Sequence, residues 1–194
     1  LVFVLGLALA AGSSQSASGA AHGFEITLPR SRTVRVPSPD GRWMLVASPF
    51  SPDHGNTLTL EDRRTGAKTV VKRYDRSIGV GWSPDSRAFF LNDAYGSNVE
   101  DAYVYWPGAA EPWQLDDILL KNDAKARAIA ADHTYFQVRR WLNAKTVLVE
   151  YCGHDSGGAI VGGFDLKYRV ELGEQEAKVQ PLPRAARSVS DCSV

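Results

Sequence analysis

The sequence predicts an all-β fold: three four-stranded antiparallel meanders arranged as a partial or small β-propeller, with one helical insertion near residues 115–132. Three observations carry this. A tight-turn signature occurs twice, as Ser38-Pro39-Asp40-Gly41-Arg42 and Ser83-Pro84-Asp85-Ser86-Arg87, each followed at once by an apolar run. Short alternating segments fill the interval between the copies, as expected of a repeated pleated unit. One stretch, 115–132, departs from that pattern and carries apolar residues at helical spacing.

Taken in order, the first copy reads as strands over 33–37, 42–48, 57–61 and 67–74, with Asp62-Arg63-Arg64-Thr65-Gly66 as a hairpin connection. The second reads as 77–82, 87–92, 101–106 and 111–115, with Pro107-Gly108 in the corresponding turn. In both signatures Pro presets φ for a tight turn, and Ser and Asp side chains serve nearby backbone groups. Asp40 and Asp85 are therefore read as structural braces. A third, degraded copy keeps only Trp141 and the apolar run Thr146-Val147-Leu148-Val149, with later segments at 160–172, bulged near Gly162-Gly163, and 177–182. Leu115, Ile118, Leu119, Ala126, Ile129 and Ala130 mark the helical insertion, broken near Asn122-Asp123, with its apolar face set to cover the sheets.

Composition narrows the function classes. Lys plus Arg equals Asp plus Glu at 22 each, so no global field favours nucleic acid. Arg30, Arg32 and Arg35 read as the solvated face of a strand. Leu1–Ala10 is uncharged and is followed by Gly, Ser and Ala to position 21, the pattern of a secretory signal. The expectation is a signal peptide over 1–21 and one domain over 22–194, periplasmic or secreted, with no stable membrane insertion after cleavage. In an oxidising compartment the two cysteines, Cys152 and Cys192, are expected to form a disulfide. Closing a loop of about 40 residues is worth about 3 to 4 kcal/mol.

With these residues in view, the chain resembles the TolB-type (PD40/WD-like) β-propeller repeats of periplasmic proteins. Gly79-Val80-Gly81-Trp82-Ser83-Pro84-Asp85-Ser86-Arg87 carries the resemblance most closely, and Val36-Pro37-Ser38-Pro39-Asp40-Gly41-Arg42 carries it without the Trp. The resemblance implies a repeat scaffold and leaves the activity open. Closed propellers have about four to eight blades, and three meanders fall short. A further blade from 24–28 with the tail, an open fragment, or completion by a second chain are the alternatives; a monomer with a helix filling the gap is the favoured one.

In such a scaffold the loops after each second strand share one end. They are Phe50–Asn56, Asp93–Asn98 and Cys152–Gly158, and each combines Gly with Asp and an aromatic or His. Polar loops on a rigid β framework are where binding residues sit, so Asp53, His54, Asp93, Tyr95, His154, Asp155 and Ser156 form the candidate binding face. His54, His154, Asp53, Asp93 and Asp155 are of ligand type, but no tight motif joins them and no metal or cofactor is assigned.

No catalytic residue is assigned either. G-x-S-x-G, P-loop, H-E-x-x-H and EF-hand patterns are absent. Asp155-Ser156-Gly157-Gly158 is similar to the nucleophile loop of chymotrypsin-like proteases, yet His154 stands where that loop requires Gly. Glu61-Asp62 and Glu100-Asp101 read as exposed strand ends whose neighbours face opposite ways. The five Trp residues, at 43, 82, 106, 113 and 141, read mostly as core. The function expected is non-catalytic binding of a protein or envelope component. The alternatives are a secreted hydrolase using His154-Asp155-Ser156 and a structural subunit completed by self-association.

Overall fold

Each turn signature folds into the same hydrogen-bonded unit, bond for bond. The computed structural model describes residues 25–129, 131–156 and 163–183. In the first copy Ser38 Oγ donates to Asp40 Oδ1 at 2.6 Å, and the same carboxylate oxygen accepts from Arg42 N. Ser38 Oγ also accepts from Trp43 N. In the second copy Ser83, Asp85, Arg87 and Ala88 repeat all three bonds. The fourth turn position needs positive φ, which Gly41 supplies at 70° without a Cβ penalty. Ser86 takes the equivalent conformation at 64°. Its hydroxyl accepts from Asp40 N at 2.9 Å, so the side chain that strains the second turn also ties it to the first.

The resulting fold is all-β with two short helices. The strands are β1 (Ile26–Leu28), β2 (Val34–Pro37), β3 (Trp43–Ser51), β4 (Gly55–Asp62), β5 (Lys68–Tyr74), β6 (Ser77–Trp82), β7 (Phe89–Ala94), β8 (Val99–Tyr105) and β9 (Trp113–Gln114). Helices α1 (Leu115–Asn122) and α2 (Ala124–Arg127) follow, then β10 (His133–Asn143), β11 (Thr146–His154), β12 (Phe164–Leu172) and β13 (Ala177–Pro181). The chain breaks between the helices at Asp123, whose carboxylate accepts from Lys125 N and Ala126 N to cap α2. Its other oxygen accepts from the Tyr168 hydroxyl at 3.0 Å, pinning the break to β12.

The expected separation into three sheets needs correction. Strands β2-β3-β4-β5 form one four-stranded antiparallel sheet, but the second and third meanders share a nine-stranded sheet ordered β1-β6-β7-β8-β10-β11-β12-β13, with β9 on β8. The joint is a short parallel pairing, Thr134 with Val99 and Tyr135 with Glu100. The reason lies in β9, expected over 111–115 but reduced to two residues because α1 begins at Leu115. It pairs only with Tyr103 and Val104, so the start of β8 keeps a free edge that β10 takes up. Strand β1, offered above as part of a fourth blade, instead adds antiparallel to β6. Arg30 and Arg32 precede β2 in a bend, and only Arg35 lies on it. Among the described residues neither sheet closes on itself.

The meanders stack face to face through two apolar layers. Leu45, Ala47, Leu58 and Leu60 of the first pack with Ile78, Val80, Trp82, Phe89 and Leu91 of the second. On the opposite side of the second, Phe90, Ala102 and Val104 pack with Val147, Val149, Tyr151, Tyr168 and Val170 of the third. Leu115, Leu119 and Ala126 of the helices join this layer. The middle meander is thus covered on both faces, and β6 and β7 are buried almost throughout. Strand β4, covered on one face only, alternates strictly.

Polar bonds tie the layers at both ends. At the turn end, Trp82 Nε1 donates to Val36 O at 3.1 Å and Trp141 Nε1 to Gly81 O at 3.0 Å. Each indole thus reaches the first strand of the preceding meander. At the other end, Asn92 bonds both Val138 N and Val138 O, and Lys72 pairs with Asp93 at 2.6 Å.

Candidate functional site

Contact between Asp40 and Ser86 at the turn end sets the first two meanders running the same way, and the indole of Trp141 on Gly81 does so for the second and third. The β3–β4 and β7–β8 tips and the end of β11 with the residues up to Ser156 therefore lie toward the opposite end. Two of these converge on one edge, the start of β10. Asn98 O accepts from Thr134 N at 2.9 Å, Asn98 Nδ2 donates to Asp132 O, and the Tyr135 hydroxyl donates to Ser97 O. Residues 132–135 open β10, which pairs with the end of β11, His133 opposite His154 and Thr134 opposite Gly153.

Glycine is required at that meeting point. A Cβ on Gly153 would run into the His133 carbonyl, so only Gly lets the strands approach this closely. The His133 and His154 rings then stack, centroids 4.3 Å apart and 17° from parallel. Ser156 completes the group: its Oγ lies 2.9 Å from His133 Nε2, and its backbone N–H donates to Asp132 Oδ1 at 2.9 Å. That bond, with a second to the Ser156 hydroxyl, holds the Asp132 carboxyl below the usual carboxylate range.

The expected site residues divide accordingly. His154, Asp155 and Ser156 stand at the shared rim with Ser97 and Asn98 of the expected Asp93–Asn98 loop, and with Asp132 and His133, which the sequence reading missed. Asp53 and His54 lie exposed on a turn whose bonds are local, to Ser51 Oγ and Ser51 O. Tyr95 is exposed at the rim end. Asp93 turns inward, 2 % exposed, onto Lys72. Gly157 and Gly158, the expected bulge at Gly162, the 1–21 segment and Cys192 lie outside the described residues; Cys152 is buried on β11. Among the described residues no group of three or more His, Cys, Asp and Glu is placed to hold a metal ion.

Beneath the rim runs a polar belt that the sequence reading placed at exposed strand ends. Glu100 is 8 % exposed and accepts from Gln137 of the third meander. Burial, with Glu25 and Asp93 close by, pushes its carboxyl up to about 7. Glu25 lies over Gly79, where any side chain would displace it. Farther along, Glu150 is buried between Arg139 and Lys167. Burial works to raise its pKa, but the bonds and charges of Lys167 and Arg139 outweigh that and hold it below the ordinary range.

No family model matches the sequence, and no curated protein matches it. A solved structure, a triple arginine-to-alanine mutant of AofleA from Arthrobotrys oligospora, aligns with 88% of this chain at 17% identity and a TM-score of 0.39. The chain spans about half of that protein, 48% of its length. A likeness at that level carries no argument here.

Among the described residues no helix is long and apolar enough to cross a membrane.

Proposed function

We propose that this chain is an exported, non-catalytic binding protein of the cell envelope or periplasm, an open stack of TolB-like propeller repeats that engages a protein or envelope component through its rim. The meeting of the Ser97-Asn98 and His154–Ser156 tips on the Asp132-His133 edge carries the reading. It gathers donors, acceptors and stacked rings from two meanders onto one surface. Phe50 and Tyr95, on the neighbouring tips, are 61% and 54% exposed, and exposed aromatics are what protein-binding surfaces use as anchors. The propeller element rests on successive meanders packing face to face with an apolar layer between neighbours. Export rests on the 1–21 segment, and a Cys152–Cys192 bridge follows from that compartment.

The test is capture of a partner from envelope extract by the immobilised chain. The combined substitutions Phe50→Ser, Tyr95→Ser and His154→Ser remove exposed side chains, so the melting temperature should hold while capture falls at least about tenfold. Capture that survives the combined variant would remove the rim from the account.

A second reading, a secreted hydrolase, is favoured by the 2.9 Å contact between Ser156 Oγ and His133 Nε2. A nucleophile–base pair needs an orienting carboxylate on the far imidazole nitrogen. Asp132 instead sits 3.9 Å from the same Nε2 and accepts from Ser156 N. The group is better described as a polar turn. Ser156→Ala should accordingly leave turnover of an activated ester probe at the level of the unaltered chain, and its loss would favour the hydrolase.

A further inference from the structure

At the end of the stack opposite the rim, the second and third meanders part between their turns. The opening is a cleft of about 450 Å³, within the roughly 300–1,000 Å³ typical of small-molecule sites. Trp106, Trp113 and Trp141 line it, and Arg87, Lys145 and Glu174 stand around them. The tryptophans serve mainly as core, as expected, and three of them also reach this cleft. Trp82 and Trp141 are 4% and 6% exposed, whereas Trp106 and Trp113 are only partly buried.

The geometry of the walls restricts the ligand. Trp106 and Trp113 meet edge to face, centroids 5.2 Å apart and 64° between planes, so the two rings form adjoining walls set at a steep angle. The Trp141 N–H is committed to Gly81 O, which leaves ring carbon for the cleft. The polar lining mixes signs: Arg87 and Lys145 against Asp85, Glu111 and Glu174. Arg87 is bound only loosely to Asp85, at 3.7 Å, with 82% of its side chain exposed. A polyanion would meet three carboxylates, and a compact cation would meet two cations. The lining suits a neutral molecule with one C–H-rich face for the indoles and an array of hydroxyls that both donate and accept. Guanidinium, ammonium and carboxylate groups make the stronger, charge-assisted bonds to such hydroxyls.

We propose that this cleft is a carbohydrate site that takes a neutral pyranose ring, packed on Trp106 and Trp113 and held through its hydroxyls by Arg87, Lys145 and the facing carboxylates. The site is independent of the rim, and either can fail without the other.

Calorimetric titration of the full chain with methyl pyranosides of the gluco, galacto, manno, 6-deoxy and 2-acetamido series tests it. At least one should bind saturably, with a dissociation constant on the order of millimolar or tighter. Trp113→Ala and Arg87→Ala should each weaken that binding at least about tenfold. Arg87 is exposed, so its variant reports on binding even if Trp113→Ala folds poorly, and Trp113→Phe should retain part of the affinity. The combined rim variant should bind the sugar unchanged. Absence of saturable binding for every pyranoside would overturn the proposal, as would binding that survives both Trp113→Ala and Arg87→Ala. Saturable binding of choline with none of the sugars would reassign the cleft to an aromatic cage for quaternary ammonium and overturn it equally.

Discussion

Trp82→Ala should destabilise the chain by about 3 to 5 kcal/mol, the range for deleting a buried Trp, read from the denaturant midpoint. The ring is 4% exposed, meets Phe89 edge to face at 5.0 Å and packs in the layer between the first two meanders. Its deletion leaves a void that flanking strands cannot close without shearing the sheets apart. It also removes the indole bond to Val36 O, a net loss of about 0.5–1.5 kcal/mol. Against a typical total of roughly 5–15 kcal/mol, one substitution consumes a large share of the stability. Trp82→Phe should recover most of the packing and none of the indole bond. A loss under about 1 kcal/mol for Trp82→Ala would mean that the layer does not join the sheets as described.

The next largest effect is expected at Glu150. Breaking a fully buried pair by removing one partner costs roughly 3–5 kcal/mol. Arg139 and Lys167 keep 31% and 37% of their side chains exposed, so part of their charge is rehydrated and about 2 to 4 kcal/mol is expected for Glu150→Ala. The pH dependence has a definite sign. Glu150 titrates below the 4.5 of an ordinary Glu, so its contribution is present above that value and lost as pH falls through the folded-state pKa. Glu100 works the other way. Its carboxyl is raised from 4.5 to about 7, so the folded chain holds the proton more tightly. That contribution is full below 4.5 and is lost as pH rises through about 7, at most about 1.4 kcal/mol per pH unit. Stability should therefore peak on the acid side of neutrality. Glu100→Gln should flatten the limb between 4.5 and 7, and Glu150→Ala the limb below 4.5. Thermal melts across pH would contradict the assignment if the two variants changed the same limb.

The parts of this fold that were legible are those set by local rules. The Ser-Pro-Asp turn, the alternation of β4 and the break at Asp123 each follow from residues within a few positions of one another. The parallel joint of β8 with β10 does not, because it exists only where β9 stops short and leaves an edge to fill. Similarly, Glu100 reads as a strand-end charge until β10 is laid against β8 and buries it. For the rim, Ser156 was in view but His133 was not. The two-residue Ala144-Lys145 turn gives a hairpin whose register could have been counted outward to His133 and His154. Irregularities between Val138 and Arg140 and between Trp141 and Asn143 shift that register, and bulges of this kind have no dependable sequence mark. Trp106 and Trp113 do pack against the core, as their spacing suggests; that they also line a cleft depends on how two distant turns are placed, which no local pattern marks.

A structural division of labour accounts for both candidate surfaces. Apolar layers hold the three meanders together through their middles, while indole-to-carbonyl bonds and the Asn92 and Lys72 bonds fix the two ends. With both ends held, the tips can carry polar residues at little cost to the stack.

The claim on which the rest depends is that successive meanders are locked by the Trp82 and Trp141 indoles. Proton–deuterium exchange of the five indole N–H groups, followed by NMR, measures it directly. The Trp82 and Trp141 protons should persist long after those of the partly exposed Trp106 and Trp113 have exchanged. Rapid exchange of Trp82 and Trp141, at the rate of the cleft tryptophans, would contradict the stacked arrangement.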